Sequence, residues 1–233
     1  MNYFLDTKFS KQNAILSPEE SKHALRSLRL RIGDELIVGD GNGLRYRCSL
    51  ASVDDKLAHL NIQEILKKEP PTNQLTIALA PTKSPSRFEW FLEKATEMGI
   101  VKIIPLQTQN SERTRINAKR ALKIVHSASK QSQRFFIPEI SSLVKLADLE
   151  TDNYDHCFLA HCAENFERTE LIHALANVSG KILVLIGPEG DFSADEIKAL
   201  IQKGFTGVSL GNNRLRTETA GVYTTAIFSA QVD

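Results

Sequence analysis

Alternating hydrophobic and polar positions predict a β-rich unit over the first 70 residues. Between positions 44 and 50, the hydrophobic residues Leu44, Tyr46, Cys48 and Leu50 alternate with polar ones. Successive strand side chains point to opposite faces, so this pattern predicts a strand over 44–53 with one buried face. Further strands are predicted over 35–38 and 57–65, with a hairpin turn at 40–43 and a short helix beginning at Ser17-Pro18. Short antiparallel strands with one helix predict a small barrel.

From residue 75 onward the pattern changes to apolar strands alternating with amphipathic helices. The predicted strands cover 75–80, 101–105, 157–160, 181–186 and 206–210. The predicted helices cover 86–98, 118–133, 167–176, 217–230 and a segment from a capping box at Ser193 to Gly204. This alternation predicts a parallel α/β sheet. The polar segment 67–73 is the predicted linker, so we expect one domain over 1–70 and an α/β domain over 71–233.

The overall composition is ordinary for a globular protein, with 42% hydrophobic residues, 24% charged residues and a net charge of +1. No segment is apolar for long enough to span a bilayer, and residues 1–13 lack the apolar core of a signal peptide. We therefore expect a cytoplasmic protein that does not bind membranes.

The three cysteines, Cys48, Cys157 and Cys162, are expected to be free thiols because their number is odd and no secretion signal precedes them. His156-Cys157 and His161-Cys162 form a cluster that could suggest zinc. The surrounding residues predict a strand, however, in which neighbouring side chains face apart and cannot easily converge on one ion. We favour packing roles and expect no metal.

Three predicted strands of the second domain end in polar or glycine-containing segments, at 160–161, 187–191 and 211–216. Ligands of open parallel sheets bind beyond the carboxyl ends of the strands, so these segments are predicted to converge on one pocket. Walker A, GxGxxG and nucleophile-elbow patterns do not occur, which disfavours nucleoside triphosphates, NAD and serine hydrolase chemistry. Ordinary turns are the alternative interpretation.

A stretch without acidic residues extends over 113–138. On a helix, its basic side chains fall along one stripe, and Leu122, Val125 and Ala128 fall on the opposite side. A stripe of a single charge sign indicates a polyanionic partner, although a solubilising surface is the alternative. The candidate polyanion-binding residues are Arg26, Arg29, Arg31, Arg113, Arg115, Lys119, Lys123, Lys130 and Arg134, with His126 on the same stripe.

Two widely separated segments carry the most specific pattern. They are Ile186-Gly187-Pro188-Glu189-Gly190 with Phe192-Ser193 and Glu196, and Leu210-Gly211 with Leu215-Arg216-Thr217-Glu218-Thr219-Ala220. Both closely resemble the signature segments of the bacterial 16S ribosomal RNA (uridine-N3)-methyltransferases, which belong to the SPOUT superfamily. Weaker similarities at 28–34, 94–99 and 129–138 extend the resemblance across nearly the whole chain. The chain departs from the family at Asp191, where a second glycine is usual.

The resemblance implies a SPOUT-like α/β domain with a trefoil knot, preceded by a small PUA-like β-barrel that helps to hold RNA. It also implies a homodimer, a ribosomal RNA or small-subunit substrate, and S-adenosylmethionine as cofactor. The implied cofactor-binding residues are Leu159, Ala160, Ile186, Gly187, Pro188, Gly190, Leu210, Gly211, Leu215, Arg216 and Thr217. We expect Asp191 to occupy a turn, because aspartate is among the few residues that tolerate a positive φ.

Methylation of uridine at N3 requires that the N3 proton leave, which places negative charge on the flanking carbonyl oxygens. A fixed arginine would stabilise that charge, and Arg216 and Arg113 are the candidates. Glu189 and Glu218 are candidates for the base or for an orienting group. A carboxylate that only binds loop amides is the alternative for Glu189, and an ion pair with Glu189 or Glu218 is the alternative for Arg216.

Two other functions remain open at the level of the sequence. The chain could be a non-catalytic ribosome-assembly factor with a vestigial cofactor pocket, or a basic α/β enzyme that acts on a small molecule. Binding of S-adenosylmethionine and transfer of methyl groups to ribosomal RNA would distinguish these functions from a methyltransferase.

Overall fold

The computed structural model describes residues 1–176 and 178–232, and these divide into two compact units. The first unit contains residues 1–70 together with residues 129–137, and the second contains residues 71–128 and the described residues from 138 onward. The predicted linker at 67–73 places 129–137 in the second domain, whereas in the structure this segment belongs to the first unit.

The first unit is built on a four-stranded sheet. Its strands are β1 (Asn2–Leu5), β2 (Glu35–Gly39), β3 (Leu44–Asp54) and β4 (Leu57–Lys67), in the order β1-β2-β3-β4. β1 is parallel to β2, whereas the other pairs are antiparallel. Helix α1 (Pro18–Lys22) begins at the predicted proline and continues into a π-helical turn (His23–Ser27).

Strand β3 has the buried face that its alternating pattern predicts. Tyr46, Cys48 and Leu50 are buried and pack in a core with Phe4 of β1, while Arg47 is exposed. Burial raises the pKa of the Cys48 thiol to about 12. Cys48 is therefore a protonated packing residue at neutral pH.

Residues 129–137 are held in the first unit by contacts distant in sequence. The backbone N–H of Gly43 donates a 2.9 Å hydrogen bond to the carbonyl of Phe135. The guanidinium carbon of Arg45 lies 3.6 Å from the centre of the Phe135 ring, a cation–π contact. These partners explain why the segment joins the first unit although it follows a helix that begins in the second.

The second unit contains an eight-stranded sheet. Its strands are β5 (Gln74–Leu79), β6 (Lys102–Gln107), β7 (Glu139–Ile140), β8 (Val144–Lys145), β9 (His156–Ala160), β10 (Thr169–Glu170), β11 (Lys181–Ile186) and β12 (Thr206–Ser209). The order is β10-β12-β9-β11-β5-β6-β7, and β8 pairs with β6. All of these pairings are parallel, so the predicted parallel α/β sheet is confirmed.

The helices of the chain after α1 are α2 (Pro85–Glu97), α3 (Ala118–Gln131), α4 (Leu171–Ala174), α5 (Ala194–Gln202) and α6 (Thr217–Val232), with a 3-10 turn at Leu146–Asp148. The capping box predicted at Ser193 is present. The prediction of a helix over 167–176 is wrong at its start, because residues 169–170 form β10 beside β12. Helix α3 ends earlier than predicted, since Gln133 has a left-handed backbone with φ of 50°.

The buried faces of α2 and α3 test the predicted helical patterns. In α2 the spacing of Phe88 and Phe91 places them on one face of the helix predicted over 86–98, and both are buried. In α3 the buried face contains Ala121, Val125 and Ala128, whereas Leu122, which the helical pattern placed on the apolar side, is 46% exposed. None of the helices in 1–176 and 178–232 is long and apolar enough to cross a membrane.

Candidate functional site

A cavity of about 340 Å³, the first cavity, lies at the carboxyl ends of three neighbouring strands, β12, β9 and β11. Most of its wall comes from residues within 160–162, 186–191 and 208–217, which are the segments that end or follow these strands. Its volume is at the lower end of the range for small-molecule sites. The predicted convergence of the three loops on one pocket is confirmed.

Most residues that the resemblance assigns to a cofactor line the first cavity. They are Ala160, Ile186, Gly187 and Pro188 from the ends of β9 and β11, and Leu210, Gly211, Leu215, Arg216 and Thr217 after β12. Leu159 and Gly190 are not on its wall. Leu159 is fully buried in the hydrophobic core, and Gly190 lies against Asn110.

Asp191 connects the loop after β11 to the loop after β9. Its carboxylate oxygen Oδ2 accepts a 2.7 Å hydrogen bond from the backbone N–H of Cys162. Its own N–H donates to the carbonyl of Pro188 at 2.9 Å, and its φ is 60°, so the expected turn with positive φ is confirmed. A glycine could adopt this backbone but could not supply the carboxylate that joins the two loops.

Glu189 is exposed on the wall of the first cavity. Among the described residues its carboxylate has no hydrogen-bond or ion-pair partner. The role of binding loop amides, which was the alternative for Glu189, belongs in this structure to Asp191.

His161 is a wall residue of the first cavity that lies in a predicted pocket segment but was not among the predicted cofactor-binding residues. It is 4% exposed, and neither ring nitrogen makes a hydrogen bond of normal geometry within the described part of the chain. Burial lowers the pKa of His161, and the carboxylate of Asp191 opposes part of that shift. A buried imidazole without a hydrogen bond of normal geometry can bind a polar ligand group. Its position directly after β9 was the available sequence signal.

A second cavity shares Arg214, Leu215 and Arg216 with the first. Its other wall residues are Ser86, Arg87, Trp90, Glu218 and Thr219, from α2 and the start of α6. The Glu218 side chain is 8% exposed; its Oε1 lies 3.7 Å from Nε of Arg87, and its Oε2 has no hydrogen-bond partner among the described residues.

Arg216 is exposed, and no ion pair to its guanidinium occurs among the described residues. The alternative of an ion pair with Glu189 or Glu218 is therefore not seen, and the Glu218 carboxylate faces Arg87 instead. The guanidinium of Arg216 is available to a ligand in either cavity.

Arg113 lies apart from these two cavities. It lines a third cavity together with Arg115, Arg120 and Glu89, over an apolar floor that includes Phe88. Arg120 forms a bidentate ion pair with Glu89, with one contact at 2.7 Å, and this pair lowers the pKa of Glu89. The structure thus separates the two arginines that the sequence analysis considered together.

No group of three or more histidine, cysteine, aspartate or glutamate side chains in 1–176 and 178–232 is arranged to hold a metal ion. His156 and Cys157 are consecutive residues of β9, and the His156 ring stacks 6.5 Å from that of Phe158. Burial raises the pKa of the Cys157 thiol.

Comparison with known families decides which of the functions left open by the sequence applies. Residues 68–229 match the model of an RNA methyltransferase domain family, and residues 16–63 match that of an RNA methyltransferase PUA domain. The chain belongs to the RNA methyltransferase family. The family match contains all three loops of the first cavity and both elements, α2 and α6, that complete the second.

Individual members of the family are similar over nearly the whole chain. The ribosomal RNA small subunit methyltransferase E of Rickettsia conorii is 28% identical over 94% of this chain and 91% of its own length. The crystal structure of a "probable rRNA-methyltransferase" from Porphyromonas gingivalis has 33% identity and a TM-score of 0.91, covering 100% of this chain and 98% of that one. A Legionella pneumophila protein in complex with the cofactor SAM has 25% identity and a TM-score of 0.79, covering 98% and 96%.

Proposed function

We propose that this protein transfers a methyl group from S-adenosylmethionine to N3 of a uridine in 16S ribosomal RNA of the small subunit. The observation that carries the proposal is the first cavity, whose glycine-containing wall lies within the RNA methyltransferase match. The name of the Rickettsia conorii relative supports a small-subunit ribosomal RNA substrate, and the Legionella pneumophila complex supports the cofactor.

The resemblance to the SPOUT superfamily extends the proposal to architecture. We propose that the α/β domain over 71–233 contains a trefoil knot, and that residues 1–70 form a PUA-like barrel that binds RNA. The match of residues 16–63 to a PUA domain family supports the second assignment. We also propose that the protein is a homodimer in the cytoplasm.

The wall of the first cavity fits a cofactor with many polar atoms. Gly211 has a φ of 100° and open space where a side chain would begin, so its backbone is directly accessible. His161 is a buried wall residue from another loop, and neither of its ring nitrogens makes a hydrogen bond of normal geometry among the described residues. We propose that the backbones of Gly187 and Leu210 and the apolar side chain of Leu215 also hold the cofactor. Leu159 and Gly190, which are not on the wall, are proposed to support the residues that are.

The reaction needs an electrophilic methyl group, which S-adenosylmethionine supplies when bound, and a deprotonated N3. We propose that Arg216 stabilises the negative charge that spreads to the uracil oxygens as the N3 proton leaves, because its guanidinium makes no ion pair among the described residues. Glu189 and Glu218 each line a cavity that Arg216 also lines, and either can receive the proton. Arg113, in the third cavity, is assigned to RNA contact.

Asp191 tests the proposed cofactor cavity. Asp191→Asn keeps an acceptor oxygen and tolerates the positive φ, so it should bind S-adenosylmethionine like the unchanged protein. Asp191→Gly keeps the turn but loses the carboxylate that accepts from Cys162, so its affinity for S-adenosylmethionine should fall by less than that of the valine variant. Asp191→Val should weaken binding by about tenfold or more, because a β-branched residue is strained at a φ of 60°. Isothermal titration with the cofactor measures all three, and equal affinities of the glycine and valine variants would contradict this account.

The basic side chains on the stripe of α3 are of two kinds: some are exposed, and others interact with groups of the protein itself. Lys119, Lys123 and His126 are exposed. Lys130, in contrast, forms an ion pair with Glu20 at 2.7 Å, and Arg134 also interacts within the protein. We therefore propose that Lys119 and Lys123 contact RNA phosphates, as do the exposed Arg26, Arg29, Arg31 and Arg115, and that Lys130 mainly stabilises the first unit.

Replacing both Lys119 and Lys123 with glutamine should weaken binding to ribosomal RNA and flatten its dependence on salt. Two lost phosphate contacts reduce the slope of log affinity against log salt by roughly 1.4. Lys130→Gln is the matched control on the same helix, and it should lower the melting temperature with a smaller change in slope. An unchanged slope in the double variant would mean that the stripe is only solvated.

Mass spectrometry of ribosomal RNA from cells with and without the protein tests the proposed reaction. Loss of a single N3-methyluridine from 16S RNA, restored by the cloned protein, is the expected result. If calorimetry shows no binding of S-adenosylmethionine and the modification is unchanged, a ribosome-assembly role replaces the proposal.

A further inference from the structure

We propose that the second cavity is the subsite for the target base, with Trp90 stacking on a uracil ring and Arg87, Glu218 and Arg216 reading its N3 edge. This inference rests on the proposed methyltransferase function and names the group that the same site would accept. It adds a location and a mode of base selection.

The two cavities are neighbours because residues 214–216 line both. A base in the second cavity would therefore contact the same three residues that wall the first. Arg216, assigned above to the uracil oxygens, is one of these shared residues. The methyl donor and the methyl acceptor would thus have separate cavities with three wall residues in common.

The polar groups of the second cavity match the hydrogen-bonding edge of uracil. That edge presents an acceptor at O2, a donor at N3–H and an acceptor at O4. Arg87 and Arg216 offer donors, and Glu218 offers an acceptor. Cytosine presents an unprotonated N3 and an amino group, which would leave the Glu218 carboxylate opposite an acceptor and one guanidinium opposite a donor.

The state of Glu218 is an independent indication of a ligand. Its side chain is 8% exposed, and its Oε2 has no hydrogen-bond partner among the described residues although its residue lines the cavity. A buried carboxylate oxygen without a partner is costly, and a donor from a bound molecule removes that cost. The N3–H group of uracil is such a donor.

Trp90 supplies the face on which a base can stack. It is 42% exposed on α2, and it lines the same cavity as the two arginines and Glu218. Recognition of single-stranded RNA relies on stacking of splayed bases on aromatic side chains, combined with hydrogen bonds to their edges. The target nucleotide must leave any duplex before its N3 edge can be read.

Trp90 is the only tryptophan of the chain, so tryptophan fluorescence, excited at a wavelength that tyrosine does not absorb, reports on this cavity. The full-length protein is titrated with a single-stranded oligoribonucleotide that contains one uridine. Two matched oligonucleotides carry cytidine or N3-methyluridine at that position. We expect the uridine oligonucleotide to change the fluorescence and to bind about tenfold or more tightly than either control.

Variants separate the subsite from the rest of the protein. Trp90→Ala should raise KM for RNA by about tenfold, Trp90→Phe should largely restore it, and neither should change S-adenosylmethionine affinity in calorimetry. Glu218→Gln should reduce the preference for uridine over cytidine, which is measured by fluorescence anisotropy of labelled oligonucleotides. Melting curves of each variant show that the fold is retained.

The proposal is overturned if uridine and cytidine oligonucleotides give equal responses. It is also overturned if the Trp90 signal depends only on protein concentration, which would place a second copy of the chain over this cavity. Normal methylation with an unchanged KM in Trp90→Ala would overturn the subsite and leave the proposed function intact. Uridine-specific fluorescence without any methyl transfer would support the subsite and contradict the proposed function.

Discussion

Arg216→Ala should lower turnover on ribosomal RNA about a hundredfold while S-adenosylmethionine affinity stays close to that of the unchanged protein. The loss of one donor to a developing negative charge commonly has an effect of this size. Arg216 is suited to this role because it is exposed on a wall shared by two cavities and makes no ion pair among the described residues. Single-turnover kinetics with saturating cofactor and RNA measures the effect directly.

Two variants serve as controls for Arg216. Arg216→Lys keeps the charge but loses the planar set of donors, so its turnover should lie between those of the alanine variant and the unchanged protein. Arg47→Ala removes an exposed arginine of the first unit that pairs with Glu64, and it should leave turnover unchanged. We would abandon the proposed role if Arg216→Ala bound the cofactor poorly but turned over normally at saturation.

Gly221→Val should reduce the free energy of unfolding by about 3 kcal/mol, at the upper end of the range for overpacking. Gly221 lies in α6, and a Cβ at this position would lie 2.5 Å from the Phe91 ring and 2.7 Å from a methyl group of Leu79. Both neighbours are fully buried, so neither α2 nor β5 can readily give way. Chemical denaturation measures the loss.

Ala230→Val is the matched control for Gly221, because it adds a branched side chain at an exposed position of the same helix. It should change stability by less than about 1 kcal/mol, since only helix propensity is affected. If Gly221→Val were as stable as this control, the close packing of α6 against α2 and β5 would be contradicted. Helix α6 carries Thr217 and Glu218 at its start, so a shift of this helix should also lower activity.

Several elements follow directly from local sequence. The alternation in β3 and the spacing of Phe88 and Phe91 in α2 predict the faces that are buried. The period of a strand or a helix determines which of its residues share a face. The capping box at Ser193 predicts the start of α5, since both of its hydrogen bonds are local. The loops of the first cavity were predicted from the ends of their strands.

The predictions that failed depend on partners distant in the chain. Residues 169–170 pair with β12 instead of continuing a helix. Leu122 is 46% exposed, whereas Val125 on the same helix is fully buried. The local pattern of hydrophobic and polar residues does not predict contacts with residues that are distant in sequence.

The sequence by itself determined the family, the α/β class, most strand and helix positions, and the two segments that form most of the first cavity. Only the tertiary structure decided which charged groups are free to act. Arg216 and Glu218 lie two residues apart, yet one has no ion pair among the described residues and the other faces Arg87 from a buried position. Residue type determines what a side chain can bind, whereas burial and distant partners determine whether it is available to bind a substrate.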